Sequence, residues 1–288
     1  MRWRGGEQSE NLEDRRRMSP KTVAAGGLGT LVIVIIGLYM GVSPQRLNQL
    51  LNNAPVAQNQ PAEKGEETPE EKRSREFAAT ILRFTEQVWD EQFRRRGENY
   101  QPPHMVLFSR RVDTGCGSAP SAVGPFYCPA DRTVYLDPTF FDELQQKLGG
   151  SNGEFSQAYV IAHEIGHHVQ NLLGYSQLVD LKRRTLPKEE FNKWSVRLEL
   201  QADYLAGVWA HYGQEKFQFL EDGDVDTAIK SARAIGDDRL QRNATGFTSP
   251  EKYTHGTSDQ RVQWFGRGLK TADLSMLKRI FEMPYEQL

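Results

Sequence analysis

The chain of 288 residues contains only two cysteines, Cys116 and Cys128. Two thiols are too few for a disulfide-rich miniprotein or for a zinc site built from four cysteines. The formal net charge is −2, so the sequence also lacks the basic excess with which proteins neutralise nucleic-acid phosphates. These shortages argue against three classes of protein and predict no nucleic-acid partner.

Long hydrophobic runs are also scarce, with one exception at residues 23–42. This run contains no charged side chain, and its length matches the roughly 20 residues that cross the hydrocarbon core of a bilayer. It predicts one transmembrane helix. Because no second run of this kind exists, a multi-span transporter is disfavoured.

Basic residues are concentrated before this run. Six lysines and arginines precede it: Arg2, Arg4, Arg15, Arg16, Arg17 and Lys21. Only Arg46 follows it before Lys64. The positive-inside rule then predicts a cytoplasmic tail over residues 1–22, a single-pass membrane anchor, and a domain on the far side of that membrane. A cleaved signal peptide is the alternative, although its basic region would be unusually long.

Residues 43–75 are rich in Gln, Asn, Pro and Glu and contain few large apolar side chains. Such a composition buries too little surface to offset its ordering entropy, so it predicts a disordered linker. Residues 76–288 form the predicted folded domain. Their apolar spacing predicts helices over 77–96, 155–173 and 188–212, and shorter helices near 138–148, 224–235, 257–269 and 271–282.

Two β-rich stretches, 105–108 and 133–136, are separated by a loop rich in glycine, serine and proline. The expected fold class is therefore α+β, mostly helical with a small β-sheet.

The stretch His163-Glu164-Ile165-Gly166-His167 lies inside the helix predicted over 155–173 and has the form H-E-x-x-H. Residues four positions apart share one face of a helix, so both imidazoles can bind the same ion. Glu164 lies beside them, where it can act as general base for a water bound to that ion. His168 points about 140° away from His163 and is not expected to be a ligand.

A third protein ligand is expected, because catalytic zinc usually takes three and leaves one position open for water. The helix predicted over 188–212 offers two carboxylates on one face, Glu199 and Asp203. We assign Glu199 as the third ligand and Asp203 as the acceptor of the spare N–H of a ligand histidine. Three other residues stay open as the third ligand, because spacing in sequence does not fix distance in space: Asp237, Asp238 and His255.

These residues resemble a known group of enzymes. Glu199-Leu-Gln-Ala-Asp203 after the H-E-x-x-H stretch is similar to the E-x-x-A-D signature of zinc metalloproteases with a glutamate ligand, such as the heat-shock-type membrane proteases. Nearly the whole chain resembles the bacterial "putative neutral zinc metallopeptidase" family, through stretches that include 9–15, 115–117 and 122–131. The resemblance implies a gluzincin-like, zincin-type domain and a Zn²⁺ cofactor.

His255 enters through the same resemblance. Thr254-His255-Gly256 followed by Arg261 is similar to the T-H-P-x-x-x-x-R segment of those families, with Gly256 in place of the proline. The resemblance implies that His255, or Arg261, stabilises the negative charge that develops on the carbonyl oxygen. A surface or capping role for His255 is the alternative.

Together these features predict a membrane-anchored zinc metalloendopeptidase that acts on a peptide or protein. Glu164 takes a proton from the zinc-bound water, which attacks the scissile carbonyl, and passes that proton to the leaving amine. Two alternatives stay open: a non-catalytic, zinc-stabilised binding scaffold, and an amide hydrolase that acts on cell-wall peptides. The sequence predicts no oligomeric state.

Cys116 and Cys128 close a loop of about a dozen residues. In an oxidising compartment they are expected to form a disulfide worth about 3 kcal/mol on the loop-entropy model. Two free thiols, or ligands of a separate metal site, are the alternatives. The loop leads into the strand predicted over 133–136, which we predict to be a sheet edge where a peptide substrate adds as an antiparallel strand.

Overall fold

The computed structural model describes residues 1–17 and 66–288. Within them the chain forms six strands: β1 (Leu12–Asp14), β2 (His104–Leu107), β3 (Arg111–Thr114), β4 (Gly117–Pro120), β5 (Phe126–Cys128) and β6 (Thr133–Leu136). The same residues form nine α-helices: α1 (Pro69–Arg95), α2 (Phe140–Gln146), α3 (Glu154–Leu172), α4 (Tyr175–Thr185), α5 (Lys188–Phe217), α6 (Asp224–Ala234), α7 (Asp237–Thr245), α8 (Ser258–Thr271) and α9 (Met276–Glu282). For this part of the chain the predicted α+β class is confirmed.

Helices α3, α5 and α8 pack at backbone distance in the centre of the molecule. A Cβ on Gly166 of α3 would stand 3.0 Å from the carbonyl oxygen of Ala202 on α5. A Cβ on Gly207 of α5 would stand only 2.1 Å from the carbonyl oxygen of Phe265 on α8, and Gly268 makes a similar contact in return. Glycine at these positions lets the backbones touch, which brings the polar residues of the three helices close together.

Most predicted helices are present with shifted ends. Helix α5 continues past Gly213, its predicted end, because that glycine packs against the ring of Phe219, where a Cβ would stand 2.5 Å from the nearest ring carbon. The helix ends instead at Phe217, and its C-terminal capping residue, Gln218, has a φ of 51°. Helices α4 and α7 are absent from the sequence prediction.

Helix α1 begins within the segment predicted as linker. The hydroxyl of Thr68 accepts the backbone N–H of Glu71, the Glu71 carboxylate accepts the backbone N–H of Thr68, and Pro69 occupies the first turn. This capping box starts a helix in a stretch whose proline and glutamate content is also typical of linkers. The predicted linker boundary at residue 75 is therefore wrong, and the linker residues up to 65 lie outside the described part of the chain.

The main sheet has four strands in the order β1-β2-β6-β5. Strands β1, β2 and β6 are parallel, and β5 pairs with β6 in antiparallel register, with Tyr127 opposite Val134. Strands β3 and β4 form a separate antiparallel pair. The prediction that 133–136 is a sheet edge is wrong, because the loop closed by the two cysteines folds back as β5 and takes that position.

Residues 1–17 pack on the domain rather than forming a separate tail. Trp3 is buried against Phe77, and the side chain of Ser9 donates a hydrogen bond to the buried carboxylate of Glu86. Strand β1 then pairs with β2, and the side chain of Arg17 donates to the carbonyl oxygen of Glu66 at 2.7 Å. These contacts make residues 1–17 part of the folded domain, whereas the sequence predicts a separate tail over residues 1–22.

No helix within residues 1–17 and 66–288 is long and apolar enough to cross a membrane. The predicted span, residues 23–42, lies outside the described residues and stays a prediction.

Candidate metal centre

Helix α3 presents the two histidines of the H-E-x-x-H stretch side by side. The ring centroids of His163 and His167 are 4.8 Å apart. His163 and Glu164 are each less than a tenth exposed, and both line a cleft together with His167. One turn of helix therefore places both imidazoles and the candidate base at the same wall, as the spacing predicts.

Helix α5 brings Glu199 to the same point. Its Oε2 atom lies 3.2 Å from Nε2 of His163, and its Oε1 atom lies 3.6 Å from Nε2 of His167. Ligands about 2.0–2.1 Å from a tetrahedral zinc ion stand about 3.4 Å apart, so these separations fit one shared ion. Within the described residues, this is the one group of three His, Cys, Asp or Glu residues able to hold a metal.

Asp203, one turn further along α5, orients His163. Its Oδ1 atom lies 2.8 Å from Nδ1 of His163, and the buried Arg261 donates to both of its carboxylate oxygens at 2.8 and 3.0 Å. Burial alone would raise the pKa of Asp203, but Arg261 and His163 outweigh it and hold that pKa at about 2. The ionised carboxylate accepts the Nδ1–H of His163, which leaves Nε2 free to bind a metal.

Two further residues of this network were missed by the sequence analysis. The hydroxyl of Tyr159 donates to Oδ1 of Asp203 at 2.6 Å. Gln170 accepts from Nδ1 of His167 at 2.8 Å and donates to the carbonyl oxygen of Leu198 at 2.6 Å, so it orients the second imidazole. Gln170 lies three positions after His167 on α3, and this spacing is the only signal in the sequence that points to it.

Glu164 differs from the other carboxylates of the site. Burial raises the pKa of Glu164, while His163 and His167 work in the opposite direction. By contrast, the pKa of Glu199 lies well below its ordinary range, since His167, His255 and His163 outweigh the effect of burial. Two carboxylates with pKa values pushed in opposite directions suit the separate tasks of proton carrier and metal ligand.

His255 reaches the cleft on a loop that Asp237 holds in place. The buried carboxylate of Asp237 accepts the backbone N–H groups of Thr254, His255 and Gly256 at 2.5, 2.7 and 3.2 Å. Nδ1 of His255 lies 3.3 Å from the same carboxylate, and its side chain is 44% exposed. Burial works to lower the pKa of His255, but Glu199 and Asp237 outweigh it and raise that pKa.

The structure separates the remaining candidates from the metal position. Asp237 is taken up by the loop, and Asp238 accepts from the backbone and the hydroxyl of Ser258, so neither joins the cluster of His163, His167 and Glu199. Arg261 lines the cleft, but its guanidinium is bonded to Asp203. Of the two residues proposed to stabilise the oxyanion, His255 is therefore the better placed.

The cleft has a volume of about 460 Å³ and walls of different character. Beside β5 it is aromatic, with Phe126 and Tyr127. Its apolar lining includes Phe140, Leu148, Val160, Ile235 and Leu240. Helix α4 contributes three polar residues, Ser176, Asp180 and Arg183, together with Val179. Such a groove is open enough for an extended chain and has distinct chemistry along its walls.

The edge strand β5 ends at the predicted disulfide. Cys116 and Cys128 are bonded, and Cys128 is fully buried. The predicted disulfide is confirmed. Strand β5 is thus bound covalently to the β3–β4 region at one end and by hydrogen bonds to β6 along its length.

His168 faces away from the metal ligands, as its position on the helix predicts. It is fully buried and lies between Tyr127 and the backbone of Gln101. Burial lowers the pKa of His168 to about 4. It is no part of the metal cluster.

Residues 1–278 match the family described as "Putative neutral zinc metallopeptidase". The Escherichia coli K12 protein named "Uncharacterized protein YpfJ" is 44% identical over 280 residues, which cover 95% of this chain and 96% of the relative. "Uncharacterized protein Rv2575" of Mycobacterium tuberculosis is 48% identical over 183 residues, or 60% of this chain and 61% of the relative. No solved structure matches the chain.

The family description implies a Zn²⁺ cofactor, and His163, His167 and Glu199 form a site that can bind it. With a match that leaves out only the last ten residues, the chain belongs to the "Putative neutral zinc metallopeptidase" family.

Proposed function

We propose that the protein is a zinc-dependent endopeptidase. One observation supports this above all: the three candidate ligands meet in an open cleft, and Glu164 stands beside them with a raised pKa. A purely structural zinc site is usually closed by four protein ligands. This site offers three ligands and access from solvent.

The chain's own residues supply the proton transfers. Bound zinc contributes Lewis-acid chemistry, in that it polarises a carbonyl and makes a neighbouring water more acidic. Glu164 accepts a proton from the attacking water and delivers it to the leaving amine. His255, held by Asp237, donates a hydrogen bond to the carbonyl oxygen as negative charge develops there.

We propose that the substrate is an extended peptide laid along the edge of β5. Strand β5 is an edge of the main sheet, hydrogen-bonded to β6 alone, and it borders the cleft, so its other side is the proposed site of strand addition. The leaving amine belongs to the residue after the scissile bond, so that residue lies beside Glu164. Val160, one turn before Glu164 on α3, belongs to the apolar lining, which favours a large apolar side chain at this position.

We also propose a location at the bacterial cytoplasmic membrane, with the domain on its outer side. The apolar run 23–42 has the composition for membrane association, and the bond between Cys116 and Cys128 is typical of oxidising compartments. The contacts of residues 1–17 with the domain support one shared compartment for both, in place of a cytoplasmic tail.

The test replaces Glu164 by Gln in the full-length protein and measures zinc content and cleavage of a random peptide library. We expect the zinc content to stay unchanged and cleavage to fall by at least about 100-fold, the lower range for loss of general acid–base catalysis. Glu189→Gln, an exposed carboxylate on α5, is the matched control and should cleave like the wild type.

Two results would contradict the proposal. A zinc-loaded wild type that binds peptides and cleaves none would favour the non-catalytic scaffold. Cleavage confined to cell-wall peptide crosslinks, with linear library peptides untouched, would favour the amide hydrolase.

A further inference from the structure

The side chain next to the second metal ligand belongs to a different network. His168 is fully buried, its Nε2 atom lies 2.7 Å from the carbonyl oxygen of Gln101, and its Nδ1 atom lies 3.0 Å from the hydroxyl of Tyr127. Within the described residues no carboxylate forms an ion pair with it. Each ring nitrogen therefore has a neutral partner, which fits a neutral imidazole in an apolar setting.

The partners fix the direction of each hydrogen bond. A carbonyl oxygen only accepts, so Nε2 of His168 carries the hydrogen and Nδ1 offers its lone pair to the hydroxyl of Tyr127. That hydroxyl in turn accepts from Nδ2 of Asn171 at 3.1 Å, and Oδ1 of Asn171 accepts from Nε2 of Gln177 at 2.9 Å. Every donor in this series has an acceptor, so the series holds one orientation.

The series crosses three elements that border the cleft. Gln177 lies on α4, Asn171 and His168 lie on α3, and Tyr127 is the middle residue of the short edge strand β5. Tyr127 lines the cleft together with His167, the residue immediately before His168. Neighbouring residues of α3 therefore have different tasks: His167 belongs to the candidate metal cluster, and His168 contacts the edge strand β5.

We infer that Tyr127 and His168 are positioning residues that set the distance between strand β5 and the zinc ligands on α3. The inference rests on the proposed function, since the strand matters only if a peptide lies along it. A peptide can pair with β5 only while the strand keeps its place beside α3, so a strand of three residues needs an anchor on the helix that carries the ligands. The disulfide fixes the strand to its neighbouring loop, whereas this contact fixes it to the metal centre.

The experiment compares four variants of the zinc-loaded, full-length protein. Tyr127→Phe removes the hydroxyl and keeps the ring, and His168→Leu removes both nitrogens. His168→Gln keeps one donor for Gln101 and one acceptor for Tyr127, so it should restore the wild-type behaviour. Tyr135→Phe is the matched control. Tyr135 lies on the adjacent strand β6, and the substitution removes a hydroxyl that donates to Asp131 at 2.8 Å.

Two measurements are made on each variant. With a cleaved library peptide, Tyr127→Phe and His168→Leu should raise KM about 5- to 10-fold, the equivalent of one hydrogen bond, and leave kcat and zinc content nearly unchanged. Amide hydrogen exchange of residues 126–128 should accelerate by a similar factor in these two variants. Tyr135→Phe and His168→Gln should stay near the wild type in both measurements.

The outcomes separate this inference from the proposed function. If the wild type cleaves no peptide, the proposed function fails, and amide exchange still tests the anchor. Unchanged exchange and unchanged KM in Tyr127→Phe would overturn the inference. So would a loss of zinc or of kcat at constant KM in His168→Leu, because that pattern indicates support of the metal helix alone.

Discussion

The two edges of the four-stranded sheet have opposite character. Strand β1 forms one edge and carries charged side chains, with Glu13 and Arg15 paired at 2.6 Å. Strand β5 forms the other edge and turns Phe126 and Tyr127 toward the cleft. Charged side chains discourage further strand addition, whereas an aromatic edge over a metal site invites it. The comparison shows one charged edge and one aromatic edge that borders the cleft, and the proposed strand addition uses the second.

The charged edge also explains why residues 1–17 matter to the domain. Without β1, strand β2 would expose a row of backbone donors and acceptors, and Trp3 would leave the core. The family match begins at residue 1, so it includes this segment. The first strand is therefore better described as part of the folded domain than as an extension of it.

The largest expected effect concerns the side of the membrane on which residues 1–17 and the rest of the domain lie. Gln8→Cys and Lys278→Cys each place one thiol at an exposed position, and the two native cysteines are bonded. In intact cells, a maleimide that cannot cross membranes should label both variants, because the contacts of residues 1–17 keep both positions on one side. Labelling of Lys278→Cys alone would indicate a single crossing between them and would contradict the docked segment.

The charged edge should also contribute to stability. Trp3→Ala removes a buried ring that packs against Phe77, and we expect the free energy of unfolding to fall by about 3–5 kcal/mol. Glu10→Ala, at an exposed position of the same segment, should change it by less than about 0.5 kcal/mol. Urea unfolding measures both, and equal effects would show that the segment does not belong to the folded core.

In the cleft beside β5, zinc affinity should depend on residues that contact the ligands and do not bind the metal themselves. Asp203→Asn weakens the orientation of His163 and deprives Arg261 of its partner, so zinc affinity should fall about 10- to 100-fold. Competition with a coloured chelator measures the affinity. Asp226→Asn, an exposed acid on α6, is the control. Equal affinities in the two variants would contradict the assigned network.

The smallest effect is a pH dependence at the aromatic edge. Burial raises the pKa of Tyr127 from its ordinary value of 10 to about 12. The folded state therefore keeps a proton that the unfolded chain releases, so the contribution is complete below pH 10 and is lost as the pH rises through 12. At pH 11 the loss is about 1 kcal/mol. Urea unfolding at pH 9 and pH 11 measures this loss, which Tyr127→Phe should lack. An equal decrease in the free energy of unfolding of the wild type and of Tyr127→Phe would contradict the assignment.

The sequence predicts the metal centre better than it predicts the sheet. Helical spacing alone aligns His163 with His167 and Glu199 with Asp203, since both pairs lie four positions apart on one helix face. Strand pairing is a long-range property, and nothing near Leu12 or Phe126 indicates which strand lies beside them. For that reason the sequence predicts neither β1 nor β5, and it wrongly places 133–136 at a sheet edge.

Irregular segments account for the remaining differences. The role of Asp237 depends on three backbone N–H groups brought together by a loop, which leaves no pattern in the sequence. Gln170 acts through a contact with the backbone of α5 at Leu198, which spacing within α3 does not reveal. The contact between Gly207 and Gly268 likewise cannot be predicted from the sequence, because it depends on how α5 and α8 pack together.

That glycine contact has a consequence for variation within the family. Gly207 lies one turn beyond Asp203 on α5, and Gly268 lies two turns beyond Arg261 on α8, where a Cβ would stand 2.1 Å from the carbonyl oxygen of Tyr204. A methyl group on either glycine would wedge the helices apart and lengthen the ion pair that steadies His163. The absence of a side chain at Gly207 and Gly268 therefore sets the helix spacing on which the orientation of His163 depends. A substitution of either glycine by alanine would look conservative in an alignment and would still weaken metal binding.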